Sequence, residues 1–143
     1  MPGGYRFLEH MTDAIVEAYG TSLEEAFENA AKGLVDTMLD LKSVRPKKEI
    51  VISLTGHDLY SLLFDWLDKV MLSVVADGTA LSHFTVKIIP QHSNGYALKG
   101  IARGGKLDIE RHGYKVEIKA VTYHEMEIRQ EKDMITIRFL LDL

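Results

Sequence analysis

The chain has 143 residues, the usual size of one compact domain, and its hydrophobic fraction of 46% excludes disorder as the main state. A formal net charge of −4 argues against a strong chain-wide attraction to nucleic acid or to anionic membranes. Cysteine is absent, which excludes disulfides, thiolate metal sites and cysteine nucleophiles.

The first part of the chain is predicted to be extended and then helical. Residues 5–19 form the extended part, with a break at residues 10–13, and Gly20 ends it. Thr21 and Ser22 can each cap a helix, because a glutamate stands three residues after each of them, as a capping box requires. Apolar residues then recur every three or four positions, at Leu23, Ala26, Phe27, Ala30, Leu34 and Met38.

A second strand and a second helix follow in the same order. Residues 47–55 alternate as a strand does, Gly56 breaks the pattern, and Asp58 can cap the next helix. Asp77-Gly78 ends that helix. Its apolar stripe is broader than that of the first helix, so we expect it to be the more buried of the two; the stripe consists of Leu59, Leu62, Leu63, Trp66, Leu67, Val70, Met71 and Val74.

The rest of the chain is predicted to form strands, because apolar and polar residues alternate there. Asn94-Gly95 predicts a hairpin turn, since both residues tolerate a positive φ angle. We expect a loop at residues 103–106 and a turn at residues 131–133. The predicted strands cover residues 84–88, 96–103, 114–120, 124–129 and 134–141.

These elements predict an α+β fold in which two helices pack on a mostly antiparallel sheet. Each helix lies between strands, so a strand–helix–strand–strand unit can occur twice, although the two halves share no obvious sequence. No linker or low-complexity segment divides the chain, which favours a single domain over residues 1–143. We expect a cytoplasmic protein, because no apolar run suits a membrane span and the first residues lack a signal peptide's apolar core.

The sequence gives little support to the common catalytic motifs. It lacks a Gly-x-Ser-x-Gly nucleophile elbow, a phosphate-binding glycine loop and a His-x-x-x-His zinc pattern. The carboxylates carry more information, because the chain ends in a strong predicted strand. That strand brings the Asp142 side chain and the terminal carboxylate of Leu143 to one place, and Asp13 could add a third hard oxygen ligand for calcium or magnesium. The pattern alone favours a solvated Asp142.

Two further polar residues, Lys119 and His10, are candidates for a functional role. Lys119 points outward from a predicted strand, either as a solvated lysine or as a cation placed for a phosphate or a carboxylate. His10 lies in a dense polar cluster before Asp13.

Five segments, in this order and spacing, resemble the archease family over nearly the whole chain. The most specific is Lys119–Met126, with the sequence KAVTYHEM. The others are Leu8–Asp13 (LEHMTD), Ala18–Phe27 (AYGTSLEEAF), Asp58-Leu59 with Leu62–Phe64, and the ending Asp142-Leu143.

The resemblance implies a non-enzymatic partner of the RtcB-type RNA ligase of tRNA splicing. Family members promote transfer of a guanylyl group from GTP to a histidine of the ligase and allow multiple turnover. The implied partner is the ligase itself, with tRNA and GTP reached only through it and no membrane involved.

The resemblance also implies a divalent cation, with calcium expected and magnesium or manganese as alternatives. Carried over by motif, its ligands are Asp13, Asp142 and the carboxylate of Leu143, while Lys119 and His10 become candidates for ligase activation or contact. Two departures stand out: His10–Asp13 reads HMTD where the family has His-Thr-Ala-Asp, and Lys106 after Gly105 replaces a glutamate.

Three other functions stay open at this point. A free-standing metal-dependent phosphoester hydrolase would turn over substrate without a ligase. An RNA-binding module needs a basic stripe, of which the only sign is a modest cluster at Lys42, Arg45, Lys47 and Lys48. A structural interaction domain would bind no metal.

Overall fold

The computed structural model describes residues 3–8 and 13–143 of the chain. Within these residues, seven strands and two α-helices are present, and a short 3₁₀ helix at Leu41–Ser43 follows the first α-helix. The elements are β1 (Gly4–Leu8), β2 (Asp13–Gly20), α1 (Leu23–Met38), β3 (Lys48–Gly56), α2 (Leu59–Val75), β4 (Thr79–Gln91), β5 (Gly95–Lys106), β6 (Ala120–Glu131) and β7 (Met134–Asp142).

The predicted α+β class is confirmed, and the strands divide between two antiparallel sheets. One sheet has the order β1-β2-β7-β6 and the other the order β3-β5-β4. Each helix contacts strands of both sheets. The strand–helix–strand–strand unit does occur twice, as β2-α1-β6-β7 and as β3-α2-β4-β5, and in both units the third strand lies between the other two. The second unit is inserted into the first, between α1 and β6.

Both helices begin at capping residues that the sequence predicts. Ser22 is the cap of α1: its hydroxyl accepts the Glu25 N–H at 3.1 Å, while the Glu25 carboxylate accepts the Thr21 N–H at 2.6 Å. Asp58 caps α2 by accepting the Ser61 N–H at 2.7 Å. Among the described residues, neither helix is both long and apolar enough to cross a membrane.

Trp66 joins the two helices at the centre of the core. Its side chain is fully buried, and its ring N–H donates to the carbonyl oxygen of Phe27 at 3.0 Å. The ring also meets Phe84 of β4 edge-on, with centroids 6.0 Å apart. Gly100 of β5 leaves room for the indole, because a Cβ atom there would lie 2.7 Å from the ring.

Two of the predicted elements are wrong. Residues 103–106 are not a loop but the end of β5, where Gly104 pairs with both Lys48 and Leu81. Residues 114–119 do not join a strand ladder, because the Lys115 N–H donates to the Met38 carbonyl at the end of α1, at 2.6 Å. The segment still buries Ile118 while exposing its charged neighbours, which explains the strand-like alternation in the sequence.

Glu17 is the central charge on the outer face of the four-stranded sheet. It is only 3% exposed and lies between Arg6 of β1 and Arg138 of β7, at 2.6 and 2.9 Å. The Tyr19 hydroxyl also donates to its carboxylate at 2.8 Å. Burial alone raises the pKa of Glu17, but hydrogen bonds from Tyr19, Arg138 and Arg6 outweigh it and lower the pKa to about 2. This cluster ties β1, β2 and β7 together.

The Glu17 cluster predicts acid-sensitive stability. Because the folded-state pKa lies below the ordinary value of 4.5, the stabilisation is complete above about pH 5 and is lost as the pH falls towards 2. The loss is about 3.5 kcal/mol at most, since one pKa unit corresponds to about 1.4 kcal/mol and the pKa is lowered from 4.5 to about 2. Urea unfolding at several pH values should show a shallower dependence for Glu17→Gln than for wild type. Glu131→Gln, at an exposed residue, serves as the control, and equal slopes for all three proteins would contradict the assignment.

Candidate functional site

Asp13 and Asp142 lie directly opposite each other in the four-stranded sheet. Asp13 is the first residue of β2 and Asp142 the last of β7, and the two are partners in the antiparallel register. Their neighbours Ala14 and Leu141, also partners, pack towards the core, so the two carboxylates share the outer face. Side chains directly opposite in such a pair have Cβ atoms about 4.5–5.5 Å apart. The sheet register therefore brings two of the predicted ligands together.

Leu143 fixes the end of the chain beside this acid pair. Its side chain packs against the core, and it lines a cavity of about 390 Å³ together with Asp13. The terminal carboxylate belongs to this anchored residue and follows Asp142 directly. The three residues of the predicted cation site thus lie at the same end of the four-stranded sheet.

Lys119 is tied to the same end through its main chain. Its backbone N–H donates to the Asp142 carbonyl at 2.7 Å, and the next residue, Ala120, pairs with Asp142 in the ladder. The Lys119 side chain is exposed. His10 lies outside the described residues, so its part in the site stays a prediction.

The donor set suits a hard divalent cation. Two aspartates and a terminal carboxylate offer only oxygen atoms, which calcium and magnesium prefer. Within residues 3–8 and 13–143, no three His, Asp or Glu side chains form a group that could hold a metal ion. Cation binding itself stays a prediction.

Asp36 of α1 belongs to the wall of the same cavity and was missed from the sequence. Its carboxylate accepts the Leu41 N–H at 3.0 Å and the Tyr5 hydroxyl at 3.1 Å. Burial, and then the negative charge of Asp36, raises the pKa of Tyr5 to about 12. The sequence does contain an indication of this role. An acidic residue in the last turn of a helix interacts unfavourably with the helix dipole, so its carboxylate is expected to accept hydrogen bonds from nearby groups. Through these two hydrogen bonds the Asp36 carboxylate stabilises the wall of the cavity.

A larger cleft of about 580 Å³ lies elsewhere, where the β4–β5 hairpin meets the start of α2. Its lining includes His57, Ser61, Asp65 and Tyr123. The Tyr123 ring stacks on Phe64 with centroids 4.4 Å apart. None of the predicted cation ligands that the structure describes lines this cleft, so the acid pair and the larger cleft do not form one site.

Comparison with known proteins gives consistent matches over nearly the full length. A model of the Archease protein family matches residues 5–143. The chain is 36% identical over 136 residues to "Protein archease" of Methanopyrus kandleri, covering 95% of this chain and 96% of that protein.

Solved structures agree with the fold. The solution structure of protein 1598 of Methanobacterium thermoautotrophicum matches with a TM-score of 0.79 and 38% identity, covering 98% of this chain and 99% of that one. The crystal structure of an archease from Thermotoga maritima, described as a possible chaperone, matches with a TM-score of 0.60 over 95% of this chain and 94% of that one. At 20% identity, this second match supports the fold alone.

The role of Asp36 can be tested by its removal. Asp36→Ala should lower the free energy of unfolding by about 1–3 kcal/mol, because the Leu41 N–H and the Tyr5 hydroxyl lose their acceptor. The measurement is chemical denaturation followed by circular dichroism. Asp65→Ala, at an exposed position of α2, is the control and should stay within about 0.5 kcal/mol of wild type. Equal effects of the two substitutions would show that Asp36 does not support the cavity.

Proposed function

The chain belongs to the archease family, and on that basis we propose that it is a non-enzymatic activator of an RtcB-type RNA ligase in tRNA splicing. It promotes guanylylation of the ligase histidine from GTP and supports multiple turnover. The observation that carries the proposal is the juxtaposition of Asp13 and Asp142, two motif residues far apart in the sequence that pair in the sheet.

The acid pair supports a role for this chain in presenting a divalent cation, with calcium first and magnesium or manganese as alternatives. Asp13 and Asp142 would hold it from adjacent strands, and the Leu143 carboxylate would complete the set. When bound, such a cation supplies positive charge that can neutralise charge developing on a phosphoryl group. The register of β2 and β7 sets the spacing of the two aspartates before any partner binds.

Lys119 is the proposed contact to the ligase. Its side chain is exposed while its backbone N–H is held by the Asp142 carbonyl at 2.7 Å, so the ammonium group extends from a fixed point beside the acid pair. It would meet a phosphate or an acidic residue of the ligase. His10, in the same motif as Asp13, is proposed to join this contact.

The proposal places the chemistry and the GTP on the ligase, in the cytoplasm. The main alternative, a free-standing metal-dependent hydrolase, would need a substrate pocket at the acid pair. The cavity of about 390 Å³ that Asp13 and Leu143 line is such a candidate pocket, so turnover by the chain alone, and not the geometry, separates the two functions. Hydrolysis of GTP or of a phosphoester by the purified chain alone would favour the hydrolase instead.

The first experiment is multiple-turnover RNA ligation by the cognate ligase, with GTP and Mn²⁺. The chain is added at a substoichiometric level, and guanylylated ligase is followed alongside ligated RNA. We expect a marked rise in turnover and faster accumulation of guanylylated ligase. No change with a ligase shown to be competent would refute the activator role.

Asp142→Asn should abolish most of the activation and weaken calcium binding at least tenfold, because one charged ligand is lost. Calorimetric titration measures the calcium affinity. A residue appended after Leu143 should act in the same way by moving the terminal carboxylate. Asp133→Asn is the matched control, since Asp133 directly precedes β7 at its other end. Full activation and full calcium affinity in both altered proteins would rule out this metal site.

Lys119→Gln should separate the ligase contact from the cation. We expect activation to fall at least tenfold while calcium affinity changes less than twofold, because only the side chain is altered and the main-chain bond to Asp142 remains. Lys69→Gln, at an exposed position of α2, provides the control for loss of one positive charge. Unchanged activation by the Lys119 variant would remove this residue from the contact.

A further inference from the structure

The positive charges of this acidic protein are concentrated on the three-stranded sheet. Residues 42–56 and 79–106, which contain its strands, hold eight lysines and arginines but a single acidic residue, Glu49. That is a net charge of +7 in a chain whose total is −4, so the remaining residues carry −11. The net charge of the whole chain does not reveal that positive and negative residues lie in different parts of the sequence. The four lysines and arginines at residues 42–48 are half of the eight in these two segments.

Lys87 and Lys99 form the centre of the outward face of this sheet. They are direct partners in the β4–β5 register and both are exposed, while Val86 and Leu98 beside them are buried in the core. Neither lysine forms an ion pair with another described residue. Like charges directly opposite each other weaken a sheet, so the two charges do not stabilise the fold.

The same face continues along β5 to Arg103. Arg103 lies four residues after Lys99, about 13 Å along the strand at roughly 3.3 Å per residue. Glu49, the one acidic residue of the three strands, contacts Arg103 at 3.0 Å, and both side chains are about half exposed. Such an exposed pair is screened by solvent. Glu24 and Glu28 of α1 reach the free edge of β4, where their carboxylates accept the Ile88 and Val86 N–H groups, but neither forms an ion pair with Lys87. The face therefore keeps a net positive charge.

Further cations extend the patch around one end of the sheet. Lys48 begins β3 and Lys106 ends β5, and both side chains are exposed. By register they alternate with the outward residues, so they lie at the end of the sheet, where they line a cleft together with Asp77. The Lys47 N–H donates to the Gly104 carbonyl at 3.1 Å, which holds the lead-in segment beside β5. We call Lys47, Lys48, Lys87, Lys99, Arg103 and Lys106 together the basic sheet surface.

We propose that the basic sheet surface binds the phosphodiester backbone of RNA. Cations spread over an open sheet suit a polyanion with repeated charges better than a single small anion. The outward positions of β3, β4 and β5 around these cations carry no Phe, Tyr or Trp, so bases are not stacked and binding is independent of sequence. The choice of RNA over other polyanions rests on the proposed function, because the ligase acts on tRNA. The activator then contacts the RNA directly, not only through the ligase.

The test is RNA binding by the chain alone, with no ligase present. Fluorescence anisotropy with a labelled tRNA transcript is measured between 50 and 200 mM KCl. Lys87→Gln/Lys99→Gln should weaken binding at least fivefold at 50 mM KCl and reduce the slope of log K against log salt by about 1–2. Lys69→Gln/Lys132→Gln removes the same charge from two other exposed positions and should change the affinity less than twofold.

Three results would overturn the proposal. The first is equal weakening by the two double variants, which would reflect net charge alone. The second is no RNA binding by the wild-type chain at 50 mM KCl. The third is tighter binding to phosphatidylserine vesicles than to the tRNA transcript. Ligase activation is measured separately on the same proteins, so a wild-type chain that binds RNA but fails to activate the ligase would refute the proposed function and leave this inference standing.

Discussion

The antiparallel pairing of β2 with β7 is the contact on which the rest of the molecule depends. It joins the two parts of the outer strand–helix–strand–strand unit around the inserted one. It sets Glu17 beside Arg138, and it sets Asp13 opposite Asp142. A shift of one residue in this register would turn Asp142 towards the core and Leu141 towards solvent. The burial of Leu141 and of its neighbours in β7 therefore protects the geometry of the acid pair.

Much of the fold could be predicted because local chemistry and tertiary structure agree. Ser22 and Asp58 cap the helices that their positions predict, and the apolar stripe of α2 is buried, with Trp66 at its centre. The expectation that α2 is the more buried helix is wrong, because α1 has nine buried residues of 16 and α2 eight of 17. The failures come from long-range partners. Gly104 is typical of a loop, yet it belongs to β5 and pairs with residues of two neighbouring strands. Lys115 lies in a segment with strand-like alternation, yet its N–H donates to the Met38 carbonyl at the end of α1.

The candidate site was predictable only as a set of residues. The resemblance selected Asp13, Asp142 and Leu143, but their meeting depends on a register that no local pattern encodes. Asp36 was missed because its partners, Tyr5 and the Leu41 N–H, come from other elements or lie beyond the helix. The basic sheet surface was missed for a similar reason, since Lys87 and Lys99 become neighbours only through the β4–β5 pairing. The net charge of the chain is a sum over all residues, so it does not show that strand pairing brings the lysines and arginines together.

The nesting of one unit inside the other has a consequence for synthesis on the ribosome. The inner unit, β3-α2-β4-β5, is contiguous in sequence and can assemble as soon as it emerges. β2 emerges before the inner unit, whereas its partner β7 emerges after it, and until then the edge of β2 that pairs with β7 has no partner strand. A nascent chain that stalls before β7 thus lacks the acid pair altogether. The candidate site therefore assembles only after the inner unit has been synthesised, so the two aspartates are presented late, on a core that is already in place.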